Sequence, residues 1–333
     1  QSVQKIYDLS RGADPRPWCL CASFTHPHDP FVARRKYWDL YEGAPELEPP
    51  EALAYEDQDP HAQRLMDACD WRGLEVTPEH IRRSRQGYFA NISYVDDKIG
   101  EILAALEATR QEAVVVFVSD HGEMLGRRGL WFKMNFYEGS ARVPLMIAAP
   151  GLEPQLIEDA VSTIDLTPTL CDLAGVSMEE VMPWTDGESL VPLAKGAARK
   201  APVVMEYAAE GSITPLVALR QGAWKYTRCQ ADPEQLFDLS HDPEERVNLA
   251  EDPRAAEVLA HFRTLADARW DLAAYDAEVR QSQARRWVVY EALRNGSYYP
   301  WDYQPLRAAS ERYMRNHMDL NVLEDSKRFP RGE

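Results

Sequence analysis

Residues 114–118 are an unbroken apolar run, mostly β-branched, that stops at Ser119, Asp120, His121 and Gly122. So short a run, bounded by polar residues and a glycine, predicts a buried strand. A second apolar run, residues 18–24, predicts another core strand and delivers His26 and His28 at its end. Between the two runs the period changes. Thr77, Pro78 and Glu79 make a helix start with an N-cap and a first-turn proline. Ile92, Val95, Ile99, Leu103 and Leu106 then recur at three- and four-residue steps and predict a buried stripe on a helix reaching about residue 108. Helix followed by strand implies a crossover and parallel pairing. Residues 142–148 predict a further strand, and Asp165 is expected to cap a helix ending near Ala174. Residues 31–75, rich in Pro, Glu and Asp, read as a surface excursion with short helices.

After Pro183 the pattern shortens. Residues 203–207, 216–220 and 224–229 predict strands joined by turns, with Gln221 and Gly222 between two of them, hence a smaller, largely antiparallel sheet. Residues 253–268 and 271–293 read as helices, and the chain from Asn295 is aromatic and irregular. The division expected is 1–182 for an α/β part, 183–294 for a smaller α+β part, and 295–333 for an extended tail.

Composition narrows the partners. A formal net charge of −17 over 333 residues argues against a nucleic-acid partner, because phosphate binding needs a basic face. No stretch approaches the roughly 20 apolar residues of a membrane span. Five cysteines with no paired spacing fit a reducing cytoplasm. Cys19 and Cys21 alternate on the first predicted strand and are expected as buried thiols pointing the same way.

The chemistry gathers where strands end, the place where open α/β sheets bind ligands. Asp120 and His121 can both ligate a divalent cation, and Lys133, among Trp131, Phe132 and Phe136, adds positive charge for an oxyanion ester. A lysine partly buried among aromatic rings needs an anion.

The blocks Ser119-Asp120-His121-Gly122-Glu123, Lys133, and Tyr137 to Leu145 resemble the central motif of the sulfatase family, in the alkaline-phosphatase-like superfamily. Thr25 to Pro30 resembles its upstream histidine motif. Ile164 to Leu170 resembles its D-x-x-P-T helix start, and Trp224-Lys225-Tyr226 with Gln235 to Leu239 resembles its C-terminal strand segment. Leu130 to Phe136 and Ala292 to Asp302 look like the choline sulfatase subgroup. The resemblance implies an α/β fold: a mainly parallel sheet flanked by helices, with a smaller antiparallel sheet, further helices and a tail. It implies hydrolysis of choline-O-sulfate, with a phosphonate monoester or phosphodiester hydrolase, or a non-catalytic binding module, as alternatives.

By the same resemblance, His28 and Lys133 are catalytic and bind the sulfate. Glu210 and Trp131 bind substrate, with Tyr207, Tyr298 and Trp301 as further rings of a cation cage. Asp120 and His121 hold a hard divalent metal, Ca²⁺ ahead of Mg²⁺ or Mn²⁺. The family's Cys-x-Pro/Ala-x-Arg motif, whose cysteine matures to formylglycine, does not occur here, nor does its paired Asp-Asp after the first strand. The expectation is therefore part of a longer enzyme, inactive alone, that assembles as a homo-oligomer through its tail.

Overall fold

A computed structural model describes residues 1–14, 16–69, 74–199 and 201–294. Helices α1 (Ser2–Arg11), α2 (Arg35–Trp38), α3 (Pro60–Ala68) and α4 (Pro78–Thr109) precede the first strand. Thr77 accepts from the His80 amide, as an N-cap should. The reciprocal bond comes from the Thr77 amide to His80 Nδ1, so histidine takes the place that Glu or Gln usually fills. The excursion predicted over 31–75 carries α2, three short 3₁₀ turns and α3, and Tyr37 from α2 bonds Asp97 of α4 at 2.8 Å.

Strand β1 (Val115–Val118) pairs with β2 (Leu145–Ala148), and α5 (Glu138–Ala141) lies between them in sequence. This pair is antiparallel, Val115 opposite Ala148, so the parallel pairing expected of β1 is not found among the described ladders. Residues 18–24 form no strand. The reason is an open cleft of about 2350 Å³ between residues 18–24, the apolar face of α4 and β1. Its walls include Leu20, Val95, Ile99, Leu106 and Val116. Ligand pockets run at roughly 300–1,000 Å³, so this is space of polypeptide dimensions. It also explains two further departures. Ile92 and Leu103 in the predicted buried stripe are 40% and 43% exposed. Cys19 and Cys21 are exposed rather than buried.

Helices α6 (Leu166–Leu173), α7 (Met178–Val181) and α8 (Val191–Ala194) follow. Asp165 does not cap α6 with its side chain. Its fully buried carboxylate instead accepts from the amides of Ser162 and Glu188 and pairs with Arg199 at 2.6 Å, closing the turn before the helix.

Strands β3 (Val203–Tyr207), β4 (Leu216–Gln221), β5 (Trp224–Arg228) and β6 (Gln235–Asp238) form the expected antiparallel sheet in sequence order. Side chains alternate across it. Leu219, Tyr226 and Leu236 stand opposite one another and pack on Leu259, Phe262 and Ala266 of α9 (Ala256–Arg269). Lys225 and Phe237 face the other way, and Phe237 joins Met124, Leu130 and Tyr137 in a second buried cluster. That cluster fixes the loop after β1 to the small sheet. Helix α10 (Leu272–Arg294) ends the described chain. None of the described helices is long and apolar enough to cross a membrane. The tail, with Tyr298 and Trp301, lies outside the described residues.

Candidate active site

The end of β1 places Asp120 and His121, and the next residue must be glycine. A Cβ on Gly122 would lie 2.2 Å from the Gly139 carbonyl oxygen, and the Gly122 amide donates to Ser140 O at 2.7 Å. This close approach seats the Asp120–His121 corner on α5.

Lys133 and His28, 105 residues apart in sequence, meet here: Lys133 Nζ donates to His28 Nε2 at 2.6 Å. His28 Nδ1 faces Asp29, at 2.9 Å from its carbonyl oxygen and 3.1 Å from its carboxylate. That arrangement gives Nδ1 the hydrogen and leaves the Nε2 lone pair for the ammonium. The rings of His28 and His121 stand edge to face with centroids 5.9 Å apart, so Asp120, His121, His28 and Lys133 form one constellation. His26 is elsewhere, half-buried against Tyr94 with centroids 5.4 Å apart. Burial holds its pKa below the usual histidine value.

Asp120 and His121 present a carboxylate oxygen and an imidazole nitrogen, both able to meet a divalent cation. The Asp120 carboxylate is 89% exposed and turned outward. His121 Nδ1 donates to Gly122 O at 2.8 Å, which leaves the Nε2 lone pair for a metal, the usual support for a ligating imidazole. Among the described residues no third His, Cys, Asp or Glu joins them as a metal-holding group. Two donors are fewer than the six to eight oxygens Ca²⁺ prefers.

Sequence reasoning missed Glu123. Its carboxylate Oε1 accepts from the amides of Leu125, at 3.0 Å, and Phe132. Burial drives its pKa up to about 7 against these two amide bonds, and the nearby Asp29 charge adds to the rise. An acidic residue between Gly122 and the apolar Met124 and Leu125 was the signal available in the sequence.

Glu210 lies on the turn after β3, where the Tyr207 hydroxyl bonds both its carboxylate and its carbonyl at 3.0 Å. Burial and the Glu210 carboxylate push the Tyr207 phenol well above its usual pKa. The rings found against Tyr207 are His61, at 5.8 Å, and Phe136, at 6.5 Å. Trp131, expected in that wall, is half-buried on the loop before Lys133. His61 also bonds the Met134 carbonyl at 2.8 Å, which ties the Tyr207–Glu210 corner to the Lys133 loop.

Arg64 anchors this corner. Its Nε donates to Gly211 O at 2.7 Å and its terminal nitrogens clasp Asp232 at 2.5 and 2.9 Å. Gly211 has φ +74° and packs on Leu65, so a side chain there would be strained and would have to displace the Leu65 side chain. Burial alone would raise the Asp232 pKa, but the Arg64 hydrogen bonds and charge win and hold it below 3.8. A depressed carboxylate stabilises the fold above its unfolded pKa, and that stabilisation is lost as pH falls through the folded value. Asp232→Asn is therefore expected to cost about 1–3 kcal/mol in denaturant unfolding at neutral pH. The cost should shrink below pH 3.8. A deficit that does not vary with pH would contradict the ion pair.

Comparison with known proteins supplies the wider frame. The sulfatase family profile matches residues 1–176, the profile described as choline sulfatase enzyme C terminal matches 277–329, and that of N-sulphoglucosamine sulphohydrolase, C-terminal, matches 126–269. The chain is 62% identical over 339 residues to a choline-sulfatase of Rhizobium meliloti, covering 99% of this chain and 66% of that protein. It is 36% identical over 183 residues to arylsulfatase K of Gallus gallus, covering 50% of this chain and 34% of that one. Among solved structures, the phosphonate monoester hydrolase of Silicibacter pomeroyi aligns with TM-score 0.62 and 29% identity over 72% of this chain and 53% of that chain. A sulfatase from Bacteroides thetaiotaomicron aligns with TM-score 0.66 and 25% identity over 83% and 64%. The chain thus spans about two-thirds of the first relative and a third of the second.

Proposed function

The chain belongs to the sulfatase family, and on that footing we propose that it forms the larger part of an enzyme that hydrolyses choline-O-sulfate to choline and sulfate. The observation that carries this reading is the Lys133–His28 contact beside Asp120 and His121: two groups able to hold an oxyanion next to two able to hold a cation. In this reading Lys133 Nζ turns from His28 to a sulfate oxygen. His28 Nε2, released, takes up a proton from water, donates it in a hydrogen bond to the ester oxygen and passes it over as the bond to sulfur breaks. Asp120 and His121 would give a carboxylate oxygen and an imidazole nitrogen to the divalent metal, Ca²⁺ where the remaining ligands are oxygens. When bound, it neutralises charge on the sulfuryl group.

Glu210 and the Tyr207–Phe136 rings offer carboxylate and aromatic faces to a quaternary ammonium. The nucleophile is assigned to a separate segment. The five cysteines lack the formylglycine motif, the site holds two metal donors among the described residues, and about a third of the relative lies outside its match. The 2350 Å³ cleft beside Asp120 is the seat for a segment that pairs with β1 and residues 18–24 and brings the remaining groups. A cytoplasmic setting accords with the exposed thiols of Cys19 and Cys21. Assembly through the tail belongs to the same proposal, since Trp287, Val288, Val289 and Tyr290 are exposed on α10 just before it.

Glu210 separates this reading from the phosphonate hydrolase alternative. Glu210→Gln is expected to raise KM for choline-O-sulfate about tenfold, roughly 1.4 kcal/mol of cation binding. KM for 4-nitrophenyl sulfate, which lacks the cation, should stay unchanged. Equal effects on both esters would remove the ammonium site from the account.

A further inference from the structure

The loop that presents Lys133 is held in a conformation its sequence does not favour. Six of the ten residues from 125 to 134 have positive φ, and four of these, Leu125, Arg128, Phe132 and Met134, are not glycine. Phe132 (φ 65°) and Met134 (φ 77°) stand on either side of Lys133. Large L-residues avoid this region because Cβ crowds the carbonyl, so the surroundings must impose it. Side chains do so at each neighbouring peptide group. The Phe132 amide donates to Glu123 Oε1, the Lys133 carbonyl accepts from Asn135 Nδ2 at 3.2 Å, and the Met134 carbonyl accepts from His61 Nε2 at 2.8 Å. The loop closes on itself through Met124 N to Phe132 O, at 2.8 Å, and Gly126 N to Leu130 O, at 2.9 Å.

We propose that Glu123 is a positioning residue for the sulfate-binding lysine. Its carboxylate pins the Leu125 and Phe132 amides together, fixes the left-handed turn at Phe132, and thereby aims Lys133 Nζ at His28. Glu123 is the member of the set that bonds amides at both ends of the loop, one at its start and one next to Lys133. His61 and Asn135 fix the far side. The inference rests on the reading of Lys133 as an oxyanion-binding group, but the anchoring itself is measurable without turnover.

The test uses the whole chain. Acetic anhydride labelling of Lys133, followed by peptide mass spectrometry, reads how firmly Nζ is held, and hydrogen exchange reads the Phe132 amide. Glu123→Ala is expected to speed both about tenfold or more, as the two amides lose their shared side-chain acceptor. Glu123→Gln, whose carbonyl accepts the same two amides, is expected to stay within about twofold of the parent. Glu123→Asp keeps the charge but withdraws it by one methylene, so it should resemble the alanine variant, and it carries the test if that variant does not fold. Unchanged Lys133 labelling in both Glu123→Ala and Glu123→Asp overturns the proposal. So does Glu123→Gln behaving like Glu123→Ala, which would make charge, not hydrogen bonding, the operative property. A failure of the sulfate-binding reading appears separately, as Lys133→Ala in the catalytically complete enzyme turning over substrate normally while the labelling of the Glu123 variants stands.

Discussion

Replacing Lys133 with alanine is expected to lower kcat/KM for choline-O-sulfate by about 10²–10³ in the catalytically complete enzyme, the usual cost of removing one donor aimed at developing negative charge. The residue is only half-buried, so the fold should tolerate the change, and denaturant midpoints should match the parent. The effect should exceed that of His28→Ala on sulfate binding. The lysine brings a fixed positive charge, whereas His28, with Nδ1 turned to Asp29, offers one nitrogen. Steady-state kinetics on the two variants check this. A Lys133→Ala enzyme within about tenfold of the parent would place the lysine outside the transition state.

Lys225→Met is expected to have the largest effect on stability, about 3–5 kcal/mol, because it leaves buried carboxylates without their cation. Lys225 is 1% exposed on β5, and its ammonium reaches three acceptors: Glu138 Oε1 at 2.6 Å, Glu245 Oε1 at 2.8 Å and Phe136 O at 2.8 Å. Those three satisfy all its donors. Burial still pushes the Glu245 pKa up despite the lysine. The other Glu245 oxygen takes the Glu138 amide at 2.6 Å, at the start of α5, and Arg128 bonds the Glu245 carbonyl while lying 4.2 Å above the Tyr137 ring. One ammonium thus ties the small sheet to Phe136 and Glu138, where the chain enters α5. Urea unfolding measures the loss, and a cost below about 1 kcal/mol would show that the network repacks around methionine.

How far the chain discloses these features differs by region. The small sheet was legible because each strand alternates between a face on α9 and a face on the site loop, and Gln221-Gly222 marks a turn. Helix α4 was legible through its cap and its period. The pairing of β1 was not. Strand partners are set by what lies alongside, and the β-branched run at 114–118 reads the same whether its neighbour is parallel or antiparallel. The exposed thiols at Cys19 and Cys21 were misjudged for the same reason, since alternation predicts which side chains share a face, not whether that face is covered.

At the site, Asp120, His121, His28 and Lys133 were found from motif and strand ends, and the structure brings them together. Glu123, His61 and Asn135 were not found, because their roles are bonds to backbone groups in a left-handed loop. Non-glycine residues there carry no compositional signal. Trp131 was expected in a cation wall from the resemblance; the rings that stand against Tyr207 among the described residues are Phe136 and His61.

The most direct measurement is sulfate release from choline-O-sulfate by this chain assembled with the third of the Rhizobium meliloti relative that lies outside the match, with a phenylphosphonate monoester as competitor substrate. The account predicts Ca²⁺-supported turnover with kcat/KM for choline-O-sulfate at least about 10²-fold above that for the phosphonate, and loss of turnover in Asp120→Ala. Preference for the phosphonate ester, or sulfate release that survives Asp120→Ala, would contradict it.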